Sequence, residues 1–293
     1  MRTISAETSK LIPHSCLVHI QAVYDSLKTA ERMAVDFIID NAASIAELGI
    51  VECASRAGSS ETTFVRASRK LGYDGFPALK DDFTRIQSGD TTDTPYGAVA
   101  AGDKPLEIAQ KVFNASVQAL KDTLNLIDDK VYDKAVAALI NAEKIMFCGL
   151  GDAAHVAMAA YQKFFRITGT SLAATDTDMQ LILASHLNKD DVLITISHSG
   201  KSRTVLDVTK AARQRGAIII SITNFPFSPL AKAAHHVLLT ADFEQHLQGE
   251  VASKRISQLA LIESLYTNYL LSLGKTGEDY LSQTLQVVQK YKI

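Results

Sequence analysis

The chain has 293 residues, 47% of them hydrophobic and 21% charged, with a net charge of −2. That composition describes a globular protein with a sizeable core. It excludes a global basic field steering the chain toward nucleic acid, so any DNA contact must rest on a local patch. The N-terminus lacks the apolar core of a signal peptide, and no apolar run approaches the roughly 20 residues that span a membrane. Cys16, Cys53 and Cys148 sit in apolar contexts without metal-ligand spacing, as expected of reduced, buried thiols in a cytoplasmic protein.

Residues 17–87 alternate short helical patterns with tight turns. Within them Ile50–Ala57 and Ser60–Leu71 read as two short helices joined by Gly58-Ser59, a helix-turn-helix pattern. Ser60 is placed to cap the second helix, and Phe64, Ala67 and Leu71 share the face that packs inward. Thr62, Thr63, Arg66, Arg69 and Lys70 fall largely on the other faces. Arginines there suit guanine edges or phosphates, and the threonines suit phosphates or thymine methyls; a merely solvated, charged helix is the alternative. Ser88–Pro105 concentrates Gly, Pro, Thr and Asp without periodicity and reads as a linker. Ile108, Val112, Phe113, Val117, Leu120, Leu124 and Ile127 then predict one long amphipathic helix over 106–127, followed by a helix over 129–142.

The remainder alternates strand-like and helix-like runs. Strands are predicted over 145–148, 171–174, 192–197, 217–223 and 237–239. Helices are predicted at 153–167, 179–184, 204–214, 229–233 and 251–273. This alternation predicts an α/β fold, a doubly wound parallel five-stranded sheet between helical layers, beside an all-α N-terminal domain.

The most informative stretch is Asp191–Ser202, DVLITISHSGKS. A β-branched strand ends in Ser197, His198, Ser199, Gly200 and Ser202 just before a helix. Backbone N–H groups and hydroxyls at a helix N-terminus make an anion site, suited to phosphate; simple helix capping is the alternative. Asp178 and Gln180 follow the second strand at its C-terminal end, where α/β ligands bind, and are candidate hydroxyl readers. For Asp178 an N-cap is the alternative. No acid/base pair, metal cluster or cofactor motif is recognisable, so no catalytic residue and no cofactor is assigned.

Leu27, Glu31 and Arg32 ahead of the helix pair, and Arg66, Leu71, Gly72, Tyr73, Gly75 and Phe76 closing it, resemble the N-terminal domain of the RpiR family of bacterial transcriptional regulators. Ser59 stands where that family carries Val or Ile. The usual partner there is a sugar isomerase (SIS) domain. Ser197, Ser199, Gly200 and Ser202 resemble its Ser-x-Ser-Gly-x-Ser/Thr loop, Phe147–Gly151 its first strand and glycine turn, and Arg255–Ala260 its Arg-Ile-Ala-Gln-Leu-Ala helix. SIS domains often carry a serine two residues after Gly151; Asp152-Ala153 departs from this. Asp152 then either caps the helix beginning at Ala153 or holds a sugar hydroxyl. Glu244, His246 and Glu250, in the loop after the fifth strand, are further candidates.

The resemblance implies a helix-turn-helix domain over 13–89, a linker over 90–105, a connecting helix over 106–130, an SIS domain over 131–274 and a helical tail over 275–293. It implies a cytoplasmic repressor of a sugar-catabolism operon, active as a homodimer or homotetramer on double-stranded operator DNA. A phosphorylated sugar or amino sugar held by Gly151, Asp152, Asp178, Ser197, His198, Ser199, Gly200 and Ser202 would control it. Ser60, Thr62, Thr63, Arg66, Arg69 and Lys70 would face DNA. The alternative is a sugar-phosphate isomerase with an accessory helical domain.

Overall fold

A computed structural model of the chain describes residues 4, 8, 11–87, 99–100, 102–241 and 254–291. Contacts divide it into two compact units, Met1–Asp103 and Lys104–Ile293. Most of the expected linker (90–98 and 101), and with it Glu244, His246 and Glu250, lies outside the described residues.

The first unit is helical: α1 (His14–Val23), a 3-10 turn (Tyr24–Ser26), α2 (Thr29–Asp40), α3 (Ile50–Arg56), α4 (Glu61–Lys70) and α5 (Phe76–Gln87). Its core centres on fully buried Phe64, whose ring meets Phe37 and Phe76 edge-on at centroid distances of 5.9 and 5.7 Å. Ile38, Ile45, Leu71, Leu79 and Phe83 complete it. Ser60 caps α4, accepting from the Thr63 N–H at 3.2 Å. The Glu31 carboxylate accepts the Lys28 N–H at 3.0 Å and Lys70 Nζ at 2.8 Å, fastening the end of α4 to the start of α2. Ser59 leaves its hydroxyl buried without a hydrogen-bond partner among the described residues, the local cost of a polar residue in the turn.

The second unit begins with α6 (Pro105–Asn125) and α7 (Asp129–Ile140). It continues through β1 (Ile145–Gly149), α8 (Asp152–Thr168), β2 (Leu172–Ala173), α9 (Thr177–Ser185), β3 (Val192–Ile196), α10 (Arg203–Gln214) and β4 (Ile218–Thr223). After α11 (Pro229–Ala233) and β5 (His236–Leu239) come α12 (Lys254–Leu273) and α13 (Lys275–Gln289). The strands form one parallel sheet in the order β2-β1-β3-β4-β5.

Side-chain alternation along the strands sorts the two faces. Phe147, Ile194, Ile196, Ile220 and Ile222 pack under the layer containing α8 and α12. Met146, Cys148, Leu193 and Ile219 face Val205, Val208 and Leu230 on the other side. Both faces are covered, so the central strands are continuously apolar, and the unit is an αβα sandwich. Burial pushes the Cys16 and Cys148 thiols up to about 12, leaving them unreactive near neutral pH.

Helix α6 departs from the amphipathic expectation in one respect. Its buried face is Ala115, Ser116, Ala119 and Thr123, whereas Phe113, Val117 and Leu124 are exposed. Small side chains let this helix lie close to its neighbours, and Thr123 Oγ1 accepts from the Ala241 N–H at 3.0 Å just beyond β5. The periodicity is that of a helix, but of the apolar stripe Ile108, Val112, Leu120 and Ile127 are only partly covered and Phe113, Val117 and Leu124 face outward. Among the described residues no helix is long and apolar enough to cross a membrane.

Candidate functional site

In the order 2-1-3-4-5 the chain reverses its direction of travel across the sheet between β1 and β3. A crevice opens at that point, beyond the carboxyl ends of the two strands. Here β1 runs into Gly149-Leu150-Gly151 and β3 into the serine loop, the two glycine- and serine-bearing turns singled out from sequence. They line one cavity of about 430 Å³ together with the start of α12.

The loop is braced from behind by β4. Thr223 Oγ1 and the Asn224 N–H both donate to the His198 carbonyl at 3.1 Å, and the Leu230 N–H donates to the Gly200 carbonyl at 3.1 Å. Gly200 has φ +60, and a Cβ there would lie 2.1 Å from Ser228 Oγ. On the cavity side, Ser202 occupies the N-cap of α10 without using its hydroxyl as a cap. The simple capping alternative is therefore not what Ser202 does. Ser199 Oγ accepts from the Lys201 N–H at 3.2 Å, and Ser197 is buried at the strand end. The first N–H groups of α10 have no carbonyl within the helix to satisfy them. Hydroxyls, open N–H groups and the helix dipole suit a phosphate.

Opposite the loop stand two residues that sequence reasoning missed, Lys254 and Gln258, one turn apart on α12. Gln258 is buried, and its amide makes no hydrogen bond among the described residues although it lines the cavity. Lys254 immediately precedes Arg255–Ala260 and Gln258 lies within it, a segment singled out only for its resemblance. Their i, i+4 spacing was visible; which wall of the crevice they form was not.

Asp152 corrects an expectation. Gly151, not Asp152, is the N-cap of α8, and the helix begins at Asp152. The carboxylate instead accepts from Lys254 Nζ at 2.6 Å across the cavity wall. That hydrogen bond and the charge of the same lysine hold the Asp152 carboxyl below the usual range, burial opposing them. Asp176 is the N-cap of α9, accepting from the Met179 N–H at 2.8 Å, and Asp178 is exposed and not part of the cavity lining. Gln180 is fully buried and pins the strand ends: its Nε2 donates to the Gly149 and Ala174 carbonyls at 3.0 and 2.8 Å, and its Oε1 accepts from Cys148 Sγ. It is committed to structure rather than to a sugar hydroxyl.

Burial, helped by the Lys254 charge and opposed by a hydrogen bond with Asn224, pushes His198 down to about 4. Its Nδ1 is buried without a hydrogen-bond partner among the described residues. The folded chain thus resists a proton that the unfolded chain accepts below its ordinary value of 6.5. Stability is fully present above that pH and declines as pH falls from 6.5 toward 4. His235 and His236 are shifted the same way and add to the slope. Denaturation in phosphate-free buffer should show His198→Gln losing less stability than wild type between pH 7 and pH 5; equal losses would remove His198 from the account.

A second cavity, of about 360 Å³, lies at the opposite end of the sheet beside the first residues of β3, β4 and β5. The buried Asp191 there accepts the Lys144 and Asn188 N–H groups at 3.1 and 2.8 Å, fastening loops rather than awaiting a ligand.

The helix-turn-helix domain of the rpiR family matches residues 14–85, and the SIS domain matches residues 138–268. An uncharacterized HTH-type transcriptional regulator of Caldanaerobacter subterraneus is 32% identical over 280 residues, 94% of this chain and 98% of its own. The HTH-type transcriptional regulator HexR of Pseudomonas aeruginosa is 34% identical over 90% of this chain and 92% of its own. The chain belongs to the RpiR family of transcriptional regulators. Among solved structures, Vibrio vulnificus NanR complexed with ManNAc-6P is similar over 94% of this chain and 98% of that one, at a TM-score of 0.59 and 25% identity. Family membership identifies the α/β unit as an SIS domain within a DNA-binding regulator and sets aside the isomerase alternative.

In this RpiR-family regulator the helix-turn-helix is α3 and α4, and α4 sorts the DNA candidates. Thr62 and Arg66 are exposed, and neither side chain makes a hydrogen bond or ion pair among the described residues. Thr63 is a correction: it is buried one turn before Ala67, its hydroxyl 2.8 Å from Ser60 Oγ. Ser60 is spent as that cap, Lys70 pairs with Glu31, and Arg69 Nε donates to the Asp74 carbonyl at 3.3 Å. Arg69 remains exposed and keeps its remaining guanidinium donors.

Proposed function

We propose that the chain is a repressor of a sugar-catabolism operon whose affinity for operator DNA is set by a phosphorylated sugar or amino sugar in the SIS cavity. The observation that carries this reading is the convergence of Ser197, Ser199, Ser202 and Lys254 on one cavity at the reversal point of the sheet. Ser197, Ser199, Ser202 and the open N–H groups of α10 take the phosphate, and Gly200 permits the turn. Gly151, Asp152, His198 and Gln258 are left for the sugar. The complex of NanR with ManNAc-6P supports the same ligand class. Such coupling between sites typically amounts to about 1–3 kcal/mol.

Binding to a near-palindromic site requires two recognition helices, hence a homodimer or homotetramer. The exposed stripe of Leu106, Phe113, Val117 and Leu124 on α6 supports assembly with a second copy.

A thermal-shift panel of hexose, pentose and amino-sugar phosphates tests the proposal. The effector at 100 times its Kd should stabilise the protein by about 2.7 kcal/mol. Ser199→Ala should weaken that effector by about 10-fold or more and leave effector-free operator binding intact. A panel without any stabilising phosphate, or an unaltered response in Ser199→Ala, overturns it.

A further inference from the structure

Asp152 and Lys254 form an ion pair at 2.6 Å, and both line the cavity that holds the serine loop. A carboxylate in a phosphate cavity is a liability, since it repels a dianion. Here its charge is masked by Lys254, the only lysine or arginine among the described residues lining that cavity. Lys254 lines the same cavity as Ser197, His198, Ser199 and Ser202 of the serine loop, and its charge also bears on His198. An ammonium has three donors, and a phosphate monoester offers nearly two charges and three acceptor oxygens against a single carboxylate.

We propose that Asp152 and the effector's phosphate compete for Lys254. In the empty protein Lys254 is held by Asp152, joining the start of α12 to the start of α8. When phosphate occupies the serine loop, Lys254 transfers to it, and the released Asp152 carboxylate accepts sugar hydroxyls. The ion pair is thus the contact that differs between the empty and the loaded state, a requirement for a ligand that shifts an equilibrium. This inference rests on the phosphate reading of the site and assigns how that site is regulated.

The competition sets opposite signs for two substitutions in one cavity. Titration calorimetry on the full chain, with inorganic phosphate and with glucose 6-phosphate as probes, should show Lys254→Gln weakening binding at least 10-fold. Asp152→Asn keeps the shape, frees the lysine and should tighten binding about 3- to 10-fold. Because the gain comes through the lysine, most of it should vanish when Asp152→Asn is placed in the Lys254→Gln background. Unchanged or weaker binding in Asp152→Asn overturns the competition and leaves a structural clasp between two helices. A gain fully retained in the double variant overturns it in favour of simple repulsion. Ser197→Ala separates the two levels. If it abolishes binding while the Asp152 and Lys254 variants behave like wild type, the phosphate site stands and the competition falls. If wild type binds neither probe, the phosphate reading itself falls and takes the competition with it.

Discussion

Arg66→Ala is expected to abolish specific operator binding while leaving effector binding unchanged. Of the basic residues on α4, Lys70 is engaged by Glu31 at 2.8 Å and Arg69 by the Asp74 carbonyl, whereas Arg66 projects from the exposed face without such a restraint. A bidentate arginine–guanine contact carries about 1–3 kcal/mol of discrimination, roughly 5- to 150-fold per half-site, and binding as a dimer would lose it twice. Fluorescence anisotropy with operator and scrambled duplexes separates the roles. Loss confined to the operator marks a base reader, equal weakening on both marks a phosphate contact, and unchanged binding rejects α4 as the recognition helix. Lys70→Gln is a useful contrast: it leaves the buried Glu31 carboxylate with the Lys28 N–H but without its lysine, so its main effect should be lower stability of the helical unit.

Gly200→Ala is expected to destabilise the SIS domain by about 2–5 kcal/mol and to remove the effector response. A left-handed conformation costs an alanine about 1–2 kcal/mol, and forcing a methyl into packed atoms costs about 1–3 kcal/mol. Here φ is +60, and the added Cβ would meet Ser228 Oγ at 2.1 Å and Ser228 Cβ at 2.5 Å. Neither atom moves freely, because Ser228 caps α11 through the Ala231 N–H at 3.2 Å. Adding Ser228→Gly should restore part of the stability, since glycine is nearly as good a cap, but not the part due to φ. Urea denaturation measures both. A Gly200→Ala protein as stable as wild type would show that the loop can rearrange, which its bracing by Thr223 and Asn224 opposes.

How legible these features are in sequence depends on the range of the interaction involved. The central strands are apolar runs because both faces are covered, and each is recognisable within a residue or two. Strand β2 is shorter than expected, since this edge strand pairs only through Leu172 and Ala173. On α4 the inward face of Phe64, Ala67 and Leu71 is evident from spacing, but Thr63 lies near its border. In the structure it is buried, one turn before Ala67, with its hydroxyl against the Ser60 cap.

The amino-acid sequence by itself determined the kinds of element, the glycine and serine turns at the ends of β1 and β3, and the family resemblance. Each of these is written in residues close together along the chain. Only the tertiary structure decided that Asp152 pairs with Lys254 instead of capping a helix, that Gln180 is structural while Gln258 faces the cavity, and that Phe113, Val117 and Leu124 of α6 point outward. Those outcomes depend on which helices the parallel sheet brings together at its reversal point. Residues 152 and 254 are distant in sequence, and no local periodicity records their meeting.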